Sequence, residues 1–196
     1  MKKIDIICDL ETLGTSNDSA IIQIAAVACE IESRKIIDWF NVYVDPTKQE
    51  FNCSADTIKW WIKTNPELLN DILSKGDRSE KQAIKEFTEW LEKIRFTYGE
   101  RTVDKKCELL FWGNGILFDN NLIKACCERN GIAYPIKYWN DRDLRTLLYL
   151  ASKKSNTPEK VLRERAKRDD DKEHDALSDC TYELRLAYDC YQILVG

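Results

Sequence analysis

The chain has 196 residues, of which 43% are hydrophobic and 33% are charged, a balance typical of a folded globular protein. Its length fits a single domain over residues 1–196 with a sizeable core. The sequence shows no apolar run long enough to span a bilayer and no basic leader followed by an apolar run. We therefore expect a cytoplasmic protein without a membrane partner.

The net charge and the cysteine content limit the kinds of binding site that the protein can have. The net charge of −4 argues against a surface coated with nucleic-acid-binding lysines, although bound divalent cations can supply positive potential at a site. The eight cysteines form no C-x-x-C pair, and the chain has one histidine. We therefore expect free thiols rather than a zinc site.

The predicted elements begin with three strands. Two apolar runs, residues 4–8 and 21–27, are rich in β-branched residues and enclose a short polar loop, so they predict a β-hairpin. Residues 35–44 predict a third strand, ended by Asp45 and Pro46. Three strands in succession predict an antiparallel meander.

Helices and further strands follow in alternation. Ser54 predicts the N-cap of a first helix, Asn65 and Pro66 divide it from a second that Gly76 ends, and Ser79 begins a longer third helix. The remaining predictions are a charged loop (99–106), a buried strand parallel to the first (108–112), a helix opened by 118–120, a strand (136–140), a helix capped by Asp141 or Asp143, and a closing helix after His174. This alternation predicts an α/β sheet with crossover connections.

Two carboxylates stand at the end of the first strand. Asp9 and Glu11 are alternate residues of a strand, so both side chains project from the same face. Most acidic pairs simply face water. At the end of a buried strand, however, adjacent carboxylates need a partner, and a hard divalent cation with oxygen ligands is the usual one.

Three more groups lie where strands end and helices begin, namely Asp119, His174 and Asp179. A step of five residues turns an α-helix by roughly 140°. His174 must therefore lie on the loop or first turn for both it and Asp179 to face one site. The four carboxylates can hold two divalent ions about 4 Å apart, and a histidine can deprotonate water near neutral pH. The set predicts phosphodiester hydrolysis.

The motifs carrying these groups resemble those of the DEDDh exonucleases, a superfamily that includes the proofreading subunit of bacterial replicative polymerase, oligoribonuclease and ribonuclease T. They are DLET in the first strand, FD at the opening of a middle helix and HDALSD near the end of the sequence. The segments WGNG-x-x-FD, DTIKWW and YWNDRDLRT are most similar to a phage and bacterial branch that includes phage exonuclease A and the nuclease part of exonuclease VIII.

The resemblance implies a ribonuclease H-like α/β fold, with a five-stranded mixed sheet whose first three strands are antiparallel and helices on both sides. It implies a 3′–5′ exonuclease that releases nucleoside 5′-monophosphates from a single-stranded DNA or RNA 3′ end. Two Mg²⁺ ions, for which Mn²⁺ can substitute, would be bound by Asp9, Glu11, Asp119 and Asp179. Asp9 would bridge both ions, and His174 would be the general base.

The resemblance also implies a set of substrate-binding residues. The residues after D-x-E would grip and wedge the terminal nucleotide, and two residues near the middle helix would line the same pocket. They are Thr12, Leu13, Gly14, Asn114 and Phe118.

Several alternatives remain open at this point. The chain could be a catalytically silent nucleic-acid-binding module or a ribonuclease H-like endonuclease, and either a monomer or a homodimer. The seven basic residues of the run 153–168 fit a solvated helix face as well as phosphate contact. Trp60 and Trp61 could stack on bases, although one of an adjacent pair normally faces the core.

Overall fold

The computed structural model describes residues 2–48, 50–98 and 107–196, and the charged loop predicted over 99–106 lies outside these residues. The strands are β1 (Lys3–Thr12), β2 (Ile21–Glu30), β3 (Lys35–Tyr43), β4 (Glu108–Gly113) and β5 (Asp141–Asp143). The helices are α1 (Ala55–Thr64), α2 (Pro66–Lys75), α3 (Glu80–Thr97), α4 (Asp119–Arg129), α5 (Leu144–Ser155), α6 (Glu159–Ala166) and α7 (Ala176–Val195). Among the helices of the described ranges, none combines the length and apolar character needed to cross a membrane.

The five strands form one mixed sheet in the order β3-β2-β1-β4-β5. β1, β2 and β3 pair antiparallel, as the three apolar runs predict. β4 joins β1 in parallel, and β5 joins β4 in parallel. The predicted five-stranded mixed sheet is therefore confirmed, with β1 at its centre.

The alternation of side chains along β1 divides the core into two layers. Ile4, Ile6, Cys8 and Leu10 face one cluster, which includes Phe87 of α3 and apolar residues of α4. On the opposite face, Ile7 packs with buried residues of α5 and α7. Since residues two apart share a face, the side chains of Asp9 and Glu11 lie on the α7 side of the sheet.

The helix starts follow local capping chemistry. Ser54 caps α1 by accepting from the backbone N–H of Thr57, and Ser79 forms a capping box with Gln82 at the start of α3. Asp143 caps α5, which settles the choice between Asp141 and Asp143. These N-caps confirm the predicted helix starts.

The strand predicted over residues 136–140 is wrong. Tyr138–Asn140 forms a 3₁₀ turn, and the strand that pairs with β4 is the charged segment Asp141–Asp143. The ring of Tyr138 is 82% exposed and that of Trp139 is 53% exposed. Their strand propensity is overridden because no core surface covers them.

Candidate active site

The site lies at the edge of the sheet where β1 ends. Asp9 is opposite Ala25, and Glu11 is opposite Gln23, in the pairing of β1 with β2. The pairing shifts by one residue immediately after Glu11, where the chain leaves the regular ladder. Glu11 is 7% exposed, so its carboxylate is held in a largely dry environment.

The loop before α7 brings His174 over this edge. His174 adopts a positive φ of 68°, which is uncommon for a residue other than glycine. Its backbone N–H donates to Asp179 Oδ2 at 3.0 Å, and the N–H of Ala176 donates to Gln23 Oε1 at 3.3 Å. These bonds fix the loop to α7 and to β2.

Three of the five predicted groups meet directly, and a fourth lines the same cleft. The ligand atoms of Glu11, His174 and Asp179 lie within 4.8 Å of one another, and Asp9 lines the same cleft as His174 and Asp179. That cleft has a volume of about 480 Å³.

Asp119 reaches the site from the other side as the first residue of α4. It is 3% exposed, and backbone hydrogen bonds from Asn114 and Leu10 favour its charged form. Its electrostatic effect on Asp9 and Glu11 places it in the same acidic cluster. The structure thus brings all five predicted groups to one edge of the sheet.

The cluster is electrostatically unfavourable without a cation. Burial first, and then the neighbouring carboxylates, raise the pKa of Glu11 to about 9 and that of Asp9 well above its ordinary value. Burial also raises the pKa of Asp119 to about 7 and that of Asp179 to about 6. Hard divalent cations prefer such clustered carboxylate oxygens, so the donor set fits the divalent metal ions implied by the resemblance.

We expect the metal-free protein to lose stability as the pH rises from about 5 to about 9. A carboxyl whose pKa is raised by folding stabilises the folded state below its unfolded pKa, near 4, and this contribution is lost as the pH passes its folded pKa. For Asp179, Asp119 and Glu11 those folded values are about 6, 7 and 9. Thermal unfolding in EDTA should show Tm falling by more than about 5 °C across this interval.

The Glu11→Gln protein serves as the matched control, because it removes the carboxyl with the highest of these three pKa values and should flatten the upper part of this curve. Added MgCl₂ should stabilise the wild-type protein most at high pH. A Tm that is level or rises between pH 5 and pH 9 in EDTA would contradict the electrostatic argument.

The predicted substrate-binding residues occupy two clefts rather than one. Asn114 lines the cleft that contains Asp9 and His174. Thr12 and Phe118 line a second cleft of about 390 Å³, together with Glu11. Asn114 and Phe118 stand at opposite ends of the turn between β4 and α4, and each lines one of these clefts. That both residues contact the terminal nucleotide stays a prediction.

Leu13 and Gly14 present little side chain to either cleft. Leu13 packs against the buried cluster of Ile22, Trp61 and Ile72. Its carbonyl accepts from the N–H of Ser54 at 2.8 Å, and the hydroxyl of Thr12 donates to the carbonyl of Gly14 at 2.7 Å. This turn is held rigidly next to Thr12, and any role of Leu13 and Gly14 in gripping a nucleotide must come from that fixed backbone.

Of the two adjacent tryptophans, one is buried and the other is partly exposed, as expected for neighbouring residues of a helix. Trp61 is 1% exposed, and its indole N–H donates to the carbonyl of Thr12 at 2.9 Å. Trp60 is 41% exposed, lines the second cleft and meets the His174 ring edge-on, with ring centroids 4.8 Å apart. Trp61 thus supports the turn, whereas Trp60 offers a surface beside the predicted base.

The basic run 153–168 also divides into two parts. Lys154 donates to the carbonyl of Leu194, and Lys160 forms an exposed pair with Glu164, so these two residues belong to the solvated helix faces. Lys167 and Arg168 line the cleft that contains His174 and Asp179. Of these four residues, Lys167 and Arg168 are therefore the two placed beside the predicted base.

Sequence reasoning missed two buried polar residues at the site. Gln23 is fully buried and links the loop before α7 to Asn41. Glu183 is 2% exposed and lines the cleft with Asp9 and Asp179. The spacing of Asp179 and Glu183, four residues apart in a helix, was the signal that could have revealed Glu183.

Gly113 is predicted to be essential for the placement of Asp119. A Cβ atom added at Gly113 would meet Asn120 Oδ1 at 2.5 Å and Asp119 Oδ2 at 3.3 Å. We expect Gly113→Ala to displace the start of α4 and to lower kcat/KM by about 10²-fold, the effect of a misplacement of about 1 Å. Steady-state kinetics would measure this loss.

Gly131→Ala is the control, since no atom lies within 4 Å of a Cβ there, although its φ of 66° introduces some backbone strain. Near-normal kcat/KM in Gly113→Ala would show that Asp119 does not depend on this close approach.

Comparisons with known proteins identify sequences similar to this chain. A sequence profile described as "3'-5' exoribonuclease Rv2179c-like domain" matches residues 4–190. The chain is 26% identical over 166 residues to an exodeoxyribonuclease of Enterobacteria phage T4, an alignment that covers 72% of this chain and 69% of that protein.

The fold is shared with solved nucleases. The nuclease domain of 3'hExo, a DEDDh family member bound to rAMP, superposes with a TM-score of 0.64 and 17% identity over 96% of this chain and 92% of that one. Cell-death related nuclease 4 superposes with a TM-score of 0.68 and 15% sequence identity, over 97% of this chain and 64% of that one. The E. coli ExoI–ssDNA complex superposes with a TM-score of 0.65 and 18% sequence identity, over 96% of this chain and 40% of that one. The predicted ribonuclease H-like fold is confirmed.

Proposed function

Because this chain belongs to the 3′–5′ exoribonuclease Rv2179c-like domain family and is a metal-dependent 3′–5′ exonuclease of the DEDDh type, we propose that it shortens single-stranded RNA or DNA from the 3′ end and releases nucleoside 5′-monophosphates. The observation that carries this proposal is the meeting of four carboxylates and one histidine at the end of β1. They are Asp9, Glu11, Asp119, Asp179 and His174.

In this proposal the carboxylates bind two Mg²⁺ ions, which Mn²⁺ can replace. Asp9 would bind both ions, Glu11 and Asp179 would complete the site beside His174, and Asp119 would serve the other ion. When bound, such a pair stabilises the attacking and leaving oxygens of an in-line displacement. Support comes from the raised pKa of Glu11 and Asp119, which burial raises in both and which neighbouring carboxylates raise further in Glu11. A cation bound nearby would favour the charged form of each carboxyl.

His174 acts as the general base in the proposed reaction. It takes the proton from the attacking water, and its loop position leaves the imidazole in the cleft beside Asp179. The edge of the Trp60 ring limits how far the imidazole can swing. Proton transfer then depends on a histidine that is held in place by its backbone and by the rings of Trp60 and Trp61.

A single-stranded end suits the two clefts. The second cleft is lined by the aromatic rings of Trp60 and Phe118, on which a terminal base can stack. Lys167 and Arg168 border the first cleft and can contact the backbone phosphates of the strand. We also propose that the chain belongs to the phage and bacterial branch, because its motifs resemble that branch and it is 26% identical to the phage T4 exodeoxyribonuclease.

The test is digestion of 5′-end-labelled single-stranded RNA, single-stranded DNA and duplexes of the same sequence, with MgCl₂ or MnCl₂. We expect a ladder of products that shortens from the 3′ end one nucleotide at a time, together with free 5′-monophosphates. The substrate that is digested fastest would show whether the enzyme prefers RNA or DNA. Strong binding without cleavage of any linear substrate would instead support a silent binding module. Cleavage of a circular single strand would support an endonuclease.

A further inference from the structure

A buried acidic residue outside the five-residue set faces the same cleft. Glu183 lies on α7 one helical turn after Asp179 and is 2% exposed. It lines the cleft together with Asp9, Asp179 and Asn114. The carboxylate therefore points from the core of the protein toward the acidic cluster rather than toward solvent.

The hydrogen bonding of Glu183 is incomplete. The Asn114 side chain is its hydrogen-bonding neighbour, whereas Oε2 is buried and has no hydrogen-bond partner among the residues that the structure describes. Buried polar atoms in native proteins nearly always have a partner, and leaving one unpaired is costly. An acceptor atom in this situation needs a donor or a cation.

The charges around Glu183 favour a cation. The groups acting most strongly on it are the carboxylates of Asp119 and Asp179, and Glu183 in turn is the largest charged influence on Asp9. Arg163 contributes a weaker, favourable effect. Several carboxylates thus face this part of the cleft. A hard divalent ion, which prefers oxygen ligands, can stabilise their negative charges.

We propose that Glu183 is a fifth carboxylate of the metal centre, holding Asn114 with one oxygen and supporting the ion between Asp9 and Asp119 with the other. This inference rests on the proposed two-ion site. It explains why a charged side chain stands at a core position of α7, where a neutral residue could serve packing alone. It also links Asn114 to Asp119, because the Asn114 backbone N–H bonds to that carboxylate.

The test is metal binding by the full chain without nucleic acid. Isothermal titration with MnCl₂, together with electron paramagnetic resonance of bound Mn²⁺, should show Glu183→Gln binding one of two ions about 10- to 100-fold more weakly than wild type. Glutamine keeps an acceptor for Asn114 and nearly the same volume, so we expect the metal-free Tm to stay close to wild type.

Three further variants make the result decisive. Glu164→Gln on α6 is the matched control and should bind Mn²⁺ like wild type, since its side chain is 59% exposed and lies outside the cleft. Asp179→Asn tests the proposed site itself and should weaken binding. Glu183→Met, an apolar side chain of similar size, replaces Glu183→Gln if the latter fails to fold.

The two failures are distinguishable. If Asp179→Asn loses affinity while the folded Glu183 variant binds both ions like wild type, the role proposed for Glu183 is overturned and the proposed function stands. If neither variant changes Mn²⁺ affinity, the metal site itself is wrong. Weakened binding in Glu183→Gln with an intact fold supports the inference.

Discussion

Replacing Asp9 with alanine is expected to abolish 3′-end hydrolysis, with a fall in kcat of roughly 10³-fold or more. Asp9 lies on the central strand and is acted on by all of its acidic neighbours, among them Glu183, Asp119 and Glu11. A group that contacts both proposed ions is needed to hold them at a fixed separation. Several kcal/mol of transition-state stabilisation therefore depend on this side chain.

The rate is best measured with purified Asp9→Ala and Asp9→Asn proteins on a labelled single strand, at saturating MgCl₂. Asp38→Ala is the matched control, because Asp38 is an aspartate of β3 that pairs with Lys93 at 3.4 Å, away from both clefts. We expect Asp38→Ala to retain normal rates. Substantial magnesium-dependent hydrolysis by a folded Asp9→Ala protein would refute the proposed site.

Replacing His174 with alanine is expected to lower kcat by about 10²- to 10⁴-fold while metal binding is largely preserved. The imidazole is proposed to accept the proton of the attacking water, whereas the carboxylates hold the ions. The bond from His174 to Asp179 Oδ2 uses the backbone N–H, so alanine can keep the loop in place. Loss of the side chain should thus remove proton transfer more than it disturbs structure.

The positive φ of His174 requires a second substitution. Asparagine tolerates the left-handed region better than alanine, so His174→Asn separates backbone strain from the loss of the base. Both variants should show the same large fall in single-turnover rate, with Mn²⁺ affinity close to wild type. Rates equal to wild type between pH 6 and pH 9 would remove the base role from His174.

The fold was predictable where local chemistry decides it. The three apolar runs predict β1, β2 and β3, and the Ser54 and Ser79 caps predict the starts of two helices. These signals involve residues within four positions of one another.

Prediction failed where burial depends on distant partners. Residues 138–140 carry aromatic side chains that favour a strand, but they lie outside the core, and the charged segment Asp141–Asp143 pairs with β4 instead. Nothing local marks such a segment as a strand. Local sequence likewise does not reveal that Asn114 and Phe118 line different clefts, at the two ends of the turn after β4.

The site itself was predictable as a set of residues but not as a structure. Asp9, Glu11, Asp119, His174 and Asp179 were found by motif, and the structure brings them to one edge. Glu183 was missed because an acidic residue in an amphipathic helix normally faces solvent. Its burial depends on the docking of α7 against β1 and β2, and in the sequence its four-residue spacing from Asp179 is the signal that indicates it.

The position of α7 has a consequence for how the enzyme is made. Asp9 and Glu11 lie on the first strand of the described chain, whereas His174 and Asp179 are translated more than 160 residues later. The meander of β1, β2 and β3 can pair while α7 is still unmade. A chain whose translation has not yet reached residue 174 therefore holds only part of the active site. The nuclease can become active only after Asp179 has been translated.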